Sequence, residues 1–111
     1  MWFCVSALSV AEHPEGSASS KQRLWEEHLF LVSADDALAA RARAEDLARG
    51  EECSYVAVNG SKVSWKFETI SKVYEIPDTP TDGTEVFSRF LKQSEVESIL
   101  SPISSGGSVR E

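Results

Sequence analysis

At 111 residues the chain is long enough for one domain and too short for two ordinary ones. Apolar residues at 41% and charged residues at 26% are typical of a globular protein and argue against disorder for most of the chain. The net charge of −7 repels nucleic-acid phosphates, which disfavours nucleic acid as a partner and suits a basic protein or peptide, although acidity also serves solubility alone.

The opening stretch, MWFCVSALSVA, predicts a first strand over residues 2–10 with apolar side chains on both faces. It ends in small residues, as an export signal does, but no Lys or Arg precedes the apolar run and the run is short. Nothing elsewhere approaches the roughly 18 apolar residues of a membrane-spanning helix. We therefore expect a cytoplasmic protein with no membrane contact.

Cys4 and Cys53 form no Cys-x-x-Cys pair and no dense framework, which favours free thiols in a reducing compartment. A disulfide between them stays open at this point, because the sequence does not give their separation. No cofactor is indicated.

A second strand is predicted at residues 23–32, after an exposed connection at 12–22 that is rich in Ser and carries Pro and Gly. Glu26, Glu27 and His28 make its first half polar, and its last four residues, Leu29 to Val32, are apolar. The strand is therefore expected to run from a solvated rim into the core, and the rim is a candidate site.

A long helix is expected next. Ser33 and Asp36 form an S-x-x-D pattern typical of a helix start, with Ser33 as the N-cap. An alanine-rich apolar stripe then repeats at helical spacing to Arg49, and Gly50 supplies a stop. Such a stripe allows the helix to approach a sheet closely.

Asn59-Gly60 predicts a β-hairpin with a two-residue type I′ turn. This turn sets Val56 opposite Val63 and directs five apolar side chains towards the helix: Val56, Val58, Val63, Trp65 and Phe67. The apolar positions then change from odd to even numbers, which predicts a bulge or break near residues 68–70.

A turn is predicted over residues 77–83, and the segment 84–91 that follows suits either a strand or a helix. Thr, Val and two Phe favour the strand. Ser94 and Glu97 predict the start of a short helix that runs to Leu100, and the Ser- and Gly-rich tail beyond it is expected to be flexible.

Together these elements predict an α+β domain with the order β-β-α-β-β-β-α. Its antiparallel sheet has four to five strands and carries one long helix on one face. Residues 1–92 are expected to form the domain, and residues 93–111 a short helix and a tail. One helix cannot cover both apolar faces of the sheet, so either the C-terminal helix or another chain covers the second face.

The chain also resembles a known family. An N-terminal Met-Trp strand, LWEEHLFLV, SYVAVNG, VSWKFETISKVYEI and DGTEVFSRFL are similar to family 4288 of small bacterial domains of unknown function. The resemblance spans roughly residues 1–92 and implies a bacterial, intracellular, compact α+β protein. The Ser-rich stretch at 16–20 and the tail after Lys92 depart from it. It implies no reaction, substrate or established site.

Common catalytic motifs are missing: the sequence has no P-loop, no dinucleotide-binding glycine motif, no H-E-x-x-H and no G-x-S-x-G. Asp82-Gly83-Thr84 would suit an anion only at a helix start, and no Lys lies beside it. Glu26 and His28 share a strand face as two metal ligands would, but a zinc site needs three or four. We expect no metal.

Arg89 lies among the Phe and Leu side chains of the predicted last strand, where a guanidinium needs a carboxylate partner. Glu27, Glu68 and Glu75 are candidate partners, and a Glu27–Arg89 ion pair is the preferred one. The candidate binding residues are Trp25, Glu26, Glu27, His28, Glu68 and Arg89.

Two functions remain open. The first is a non-catalytic protein-interaction module, of an accessory or immunity type, that binds a basic partner or forms a homodimer. The second is a small enzyme or ligand-binding protein with a polar cleft between the WEEH and DGTEVFSRF segments. A shared pocket would favour the second function, and dispersed, internally paired residues would favour the first.

Overall fold

The computed structural model describes residues 1–13 and 23–101. They form an α+β fold with a four-stranded antiparallel sheet and two helices. The elements are β1 (Trp2–Glu12), β2 (Trp25–Ser33), α1 (Ala37–Gly50), β3 (Cys53–Val56), β4 (Lys62–Ile76) and α2 (Gln93–Leu100). The strand order is β2-β1-β4-β3, so β2 and β3 are the edges. The predicted tail and most of the predicted 12–22 connection lie outside the described residues.

The main core lies on the side of the sheet where α1 packs, which we call the helix face. It joins side chains of three strands to an alanine stripe: Phe3, Val5, Ala7, Val32, Phe67, Ile70, Ala40, Ala44 and Ala48. The three alanines are almost completely buried, so the helix lies close against the strands, as the sequence predicts.

Helix α1 begins later than its sequence pattern suggests. Ser33 is the last residue of β2, and Asp36 is the N-cap, with its Oδ1 accepting a 2.8 Å hydrogen bond from the Ala39 N–H. Both residue types cap helices well, and the chain uses the second one because Ser33 pairs with Trp2 in the sheet.

The hairpin between β3 and β4 differs from its prediction by one residue in register. Val56 lies opposite Lys62, and Tyr55 lies opposite Val63. Gly60 has φ +91°, and no other residue of the turn has a positive φ, so a type I′ turn does not form. Instead Gly60 N–H bonds to Ala57 O in a three-residue loop, the type I turn with a glycine bulge. Val56 and Val58 are consequently exposed, not core residues.

Strand β4 contains the predicted irregularity and a second one. Its pairing with β1 skips Glu68, between Phe67 and Thr69, and skips Ser71, between Ile70 and Lys72. The first bulge moves Ile70 onto the helix face beside Phe67, as expected from the change in parity. The second returns the later even-numbered residues, Tyr74 among them, to the opposite side, which we call the second face.

No fifth strand follows β4 within residues 77–101. Residues 84–91 form neither a strand nor a helix, so both alternatives for this segment are wrong. The turn before it is present, with Gly83 at φ +88° and the Thr84 N–H bonded to Thr81 O. The segment lies against the second face, where the Phe87 ring meets the Tyr74 ring edge-on at 5.4 Å. Aromatic contact here replaces the predicted strand pairing.

Helix α2 does not cover the second face. It has no buried residue and packs against neither α1 nor any described strand. It begins at Gln93, and Glu95, not Glu97, accepts a 2.7 Å hydrogen bond from the Lys92 N–H at its start. Within residues 1–13 and 23–101, no helix covers the second face, and only the irregular segment that carries Phe87 lies against it.

Candidate functional site: an acidic cleft beside the helix

Two of the predicted site residues meet on the helix face of β2. Glu26 and His28 are two positions apart on a strand, so their side chains point the same way, beside Ser9 and Ala7 of β1. The Glu26 carboxylate lies 3.2 Å from Nε2 of His28, and the imidazole stacks on the Phe30 ring at 6.0 Å. This is the solvated rim that the sequence predicts.

Three other elements complete a cleft around this pair. Glu51 and Glu52 follow the end of α1, Cys53 and Tyr55 belong to β3, and Trp65 belongs to β4. We call this site of about 240 Å³ the acidic cleft, lined by Ser9, Glu26, His28, Glu51, Glu52, Cys53, Tyr55 and Trp65. Clefts for drug-sized ligands usually reach about 300–1,000 Å³, so this one suits a side chain or a very small molecule.

Hydrogen bonds fix two walls of the acidic cleft. Glu52 Oε2 accepts a 2.8 Å hydrogen bond from the Phe67 N–H. Trp65 Nε1 donates a 3.1 Å bond to the Tyr55 hydroxyl across the β3–β4 hairpin. This bond joins the two aromatic side chains edge to edge along one wall of the cleft.

The electrostatic character of the cleft is negative. Three glutamates line it, and the carbonyl end of α1 opens beside it at the C-cap, Glu51. The nearby basic side chain of Arg49 does not line the cleft, since its guanidinium lies over the Phe67 ring at 4.9 Å. A cationic group from outside would therefore find carboxylates and aromatic faces together.

Glu27 lies on the second face, away from its neighbours Glu26 and His28. There the Ser71 hydroxyl donates to the Ser6 hydroxyl at 3.0 Å, and the Ser6 hydroxyl donates to Glu27 Oε2 at 2.6 Å. The bulge at Ser71 directs its side chain into this chain of hydrogen bonds. The Glu27 carboxylate therefore has its hydrogen-bond partner within the protein, and its position on the second face requires no ligand.

The two cysteines are free thiols in different surroundings. Cys4 is buried on the second face, and Cys53 is exposed in the acidic cleft on the helix face, so the disulfide alternative does not hold. Burial raises the pKa of the Cys4 thiol, and the negative charge of Glu27 raises it further. The reactive thiolate form of Cys4 is thereby disfavoured.

In the native protein at pH 8, we expect an aromatic disulfide reagent to modify the exposed Cys53 thiol rapidly. The buried Cys4 thiol should react at least about a hundredfold more slowly, because it is reached only after local opening of the structure. Thiol titration by absorbance measures both phases. Cys53→Ser should remove the fast phase alone, and both thiols should react rapidly in guanidinium. Two fast phases in the native protein would contradict the burial of Cys4.

Three other predicted site residues lie apart from the acidic cleft. Trp25 begins β2 and points to the second face opposite Val10, where it is partly exposed. Glu68 is the exposed bulged residue of β4. Arg89 is exposed in the irregular segment. Among residues 1–13 and 23–101, Arg89 forms no ion pair, so the preferred pair with Glu27 is wrong, as are those with Glu68 and Glu75.

The sequence pattern does not single out Glu51, Glu52, Tyr55 or Trp65 as site residues. One signal was present: two glutamates directly after a helix stop must lie at the carbonyl end of that helix. Nothing local connects that end to the WEEH rim, because the strand order β2-β1-β4-β3 brings them together. The DGTEVFSRF segment lines no part of the cleft.

The described ranges contain no group of three or more His, Cys, Asp or Glu arranged to hold a metal ion. Nor do they contain a helix long and apolar enough to cross a membrane. A family model described as Domain of unknown function (DUF4288) matches residues 2–88. No curated protein and no solved structure matches the chain.

Proposed function

The chain belongs to the DUF4288 family, and we propose that it is a non-catalytic protein-interaction module that binds a basic partner at the acidic cleft. The role is that of an accessory or immunity-type protein, acting in the cytoplasm. One observation carries the proposal: Glu26, Glu51 and Glu52 converge with Tyr55 and Trp65 in one cleft, and no Lys or Arg of the described ranges lines it.

The chemistry of this cleft suits an arginine or lysine side chain of a partner. An arginine can form paired hydrogen bonds with a carboxylate and stack on an aromatic ring, and both groups are present. The volume of about 240 Å³ is below the usual range for small-molecule sites and suits a single inserted side chain. The net charge of −7 adds long-range attraction for a basic partner.

One observation favours the second function, a small enzyme or ligand-binding protein. The Glu26–His28 pair resembles an oriented general base, and Ser9 and Cys53 line the same cleft. Among the described residues, however, the polar side-chain contact of the His28 imidazole is with Glu26, and neither Ser9 nor Cys53 is held beside it as an activated nucleophile is. The described geometry therefore supports binding better than covalent catalysis.

Binding of a fluorescent octa-arginine peptide tests the cleft, with octa-glutamate as the negative probe. We expect the double variant Glu26→Gln and Glu51→Gln to bind octa-arginine about tenfold more weakly than the wild type, because two of the three carboxylates lose their charge. The matched control, Glu75→Gln with Glu85→Gln, removes two charges elsewhere and should change the affinity less than about twofold.

The same three proteins are then used to capture partners from a bacterial lysate, followed by mass spectrometry. A basic protein retained by the wild type and by the distal control, but lost with the cleft variant, would support the proposal. Equal weakening of peptide binding by both double variants would refute it, since that result shows only attraction to the net charge.

A further inference from the structure

Strand β2 is an edge strand whose outer backbone groups pair with no other strand of residues 1–13 and 23–101. In antiparallel pairs, residues alternately turn their backbone groups towards and away from the neighbouring strand. Ala11 N–H bonds to Leu24 O at 3.0 Å and Ala34 N–H to Met1 O at 2.9 Å, so even-numbered residues of this region face β1. The odd-numbered ones therefore face outward: Trp25, Glu27, Leu29, Leu31 and Ser33. No described strand pairs with them.

In the part of the chain that the structure describes, the apolar half of this edge carries none of the usual protection. Leu29 and Leu31 lie side by side on the second face and are 54% and 52% exposed. Soluble proteins usually guard such an edge with Lys, Pro, a bulge or a covering segment. The stretch from Leu29 to Ala34 contains no charged residue and no proline, and β2 pairs with β1 without a bulge.

We propose that two copies of this chain pair antiparallel through their β2 edges, about a two-fold axis at Phe30, and form one continuous eight-stranded sheet. This register sets Leu29 of each copy opposite Leu31 of the other, so all four exposed leucines meet on the second face. Leu29 and Leu31 both turn their backbone groups away from β1, so each Leu29–Leu31 pair across the interface can exchange two backbone hydrogen bonds. The surface is self-complementary, as a two-fold interface requires.

Charge and the pairing of the leucines together favour this register over its two neighbours. An axis at Leu31 would set Glu27 opposite Asp35 of the second copy, a repulsive pair. An axis at Leu29 would set Glu27 opposite Leu31 and would match only one pair of leucines. With the axis at Phe30, Glu27 meets Ser33, and the two copies of Glu27 are roughly 20 Å apart, well beyond the screening length of about 8 Å.

The dimer is independent of partner binding at the acidic cleft, and salt distinguishes the two. Each copy carries a charge of −7, so association of two copies is opposed by repulsion that salt screens. The dimer should tighten between about 50 and 500 mM NaCl, whereas octa-arginine binding should weaken over the same range. Because the two salt dependences have opposite signs, the dimer and the binding of octa-arginine can be tested separately, and failure of one proposal does not affect the test of the other.

Sedimentation equilibrium of the full chain at about 100 μM tests the dimer, with an expected mass of twice 12.2 kDa. Leu31→Lys should raise the dimer dissociation constant by about a hundredfold, because each dimer would bury two unpaired charges. The matched control is Val56→Lys on the opposite edge strand, a similarly exposed apolar residue, which should leave the dimer intact. A monomeric wild type, or equal effects of the two variants, would overturn the proposal.

Disulfide trapping tests the register. Leu29→Cys, Phe30→Cys and Leu31→Cys are each made with Cys53→Ser, and mild oxidation is followed on non-reducing gels. Residues at the two-fold axis are about 4.5–5.5 Å apart between Cα atoms, within the range of a disulfide. Phe30→Cys should cross-link fastest by at least about tenfold, and faster cross-linking through another position, or none through Phe30→Cys, would overturn the Phe30 axis.

Discussion

Phe3→Ala should lower the free energy of unfolding by about 3–5 kcal/mol, the usual cost of removing a buried phenylalanine side chain. Phe3 is only 2% exposed, on the central strand β1, and it belongs to the core that joins the sheet to α1. The cavity would lie under the helix, where the alanine stripe has too little volume to fill it. Urea unfolding followed by far-UV circular dichroism measures the change.

Phe90→Ala is the matched control, because the same side chain is fully exposed at that position. Its free energy of unfolding should stay within about 0.5 kcal/mol of the wild type. Both variants are measured with Leu31→Lys present, so that dimer formation does not add to the stability. A loss below about 1 kcal/mol for Phe3→Ala would contradict the placement of this residue in the core.

Several elements of the fold are predictable because their signals are local. The alanine stripe of α1 repeats every three to four residues, and Asn59-Gly60 marks a hairpin. The register of that hairpin is not predictable from the pair alone, since a two-residue and a three-residue loop both use Gly60 and differ by one position. That single position decides whether Val56 faces the core or the solvent.

Strand β4 shows how far a hydrophobic pattern can predict bulges. The change in parity after Phe67 predicts one bulge, and the structure has it at Glu68. The second bulge, at Ser71, leaves no clear mark in the hydrophobic pattern, because the strand is apolar on both sides beyond it. The bulge places the Ser71 hydroxyl where it donates a hydrogen bond to Ser6, a contact between residues 65 positions apart in sequence that no local pattern indicates.

The candidate site was half predictable for the same reason. Glu26 and His28 share a face by strand alternation, which is a local rule. Their meeting with Glu51, Glu52 and Trp65 depends on the strand order, which no local pattern encodes. The predicted partner of Arg89 lies across a strand pairing that does not form, so the wrong secondary structure at 84–91 also gives a wrong ion pair.

Ala44→Leu should lower the free energy of unfolding by about 1–3 kcal/mol, although leucine is itself a good helix former. Ala44 has no exposed surface, and it lies in the middle of the stripe formed with Ala40 and Ala48. A larger side chain must lift α1 off the sheet or force strained rotamers among its neighbours. Urea unfolding at fixed protein concentration, with Leu31→Lys present, measures this cost.

Ala42→Leu separates packing from helix propensity, since Ala42 lies in the same helix but is exposed. Its expected effect is within about 0.5 kcal/mol. Equal stability of the Ala44→Leu and Ala42→Leu variants would contradict the close packing of α1 on the strands. The position of Glu51 and Glu52 in the acidic cleft would then be in error too, because both residues follow the end of this helix. A difference of the expected size would instead mean that the alanine stripe fixes where Glu51 and Glu52 lie, because the helix cannot shift on the sheet without a clash.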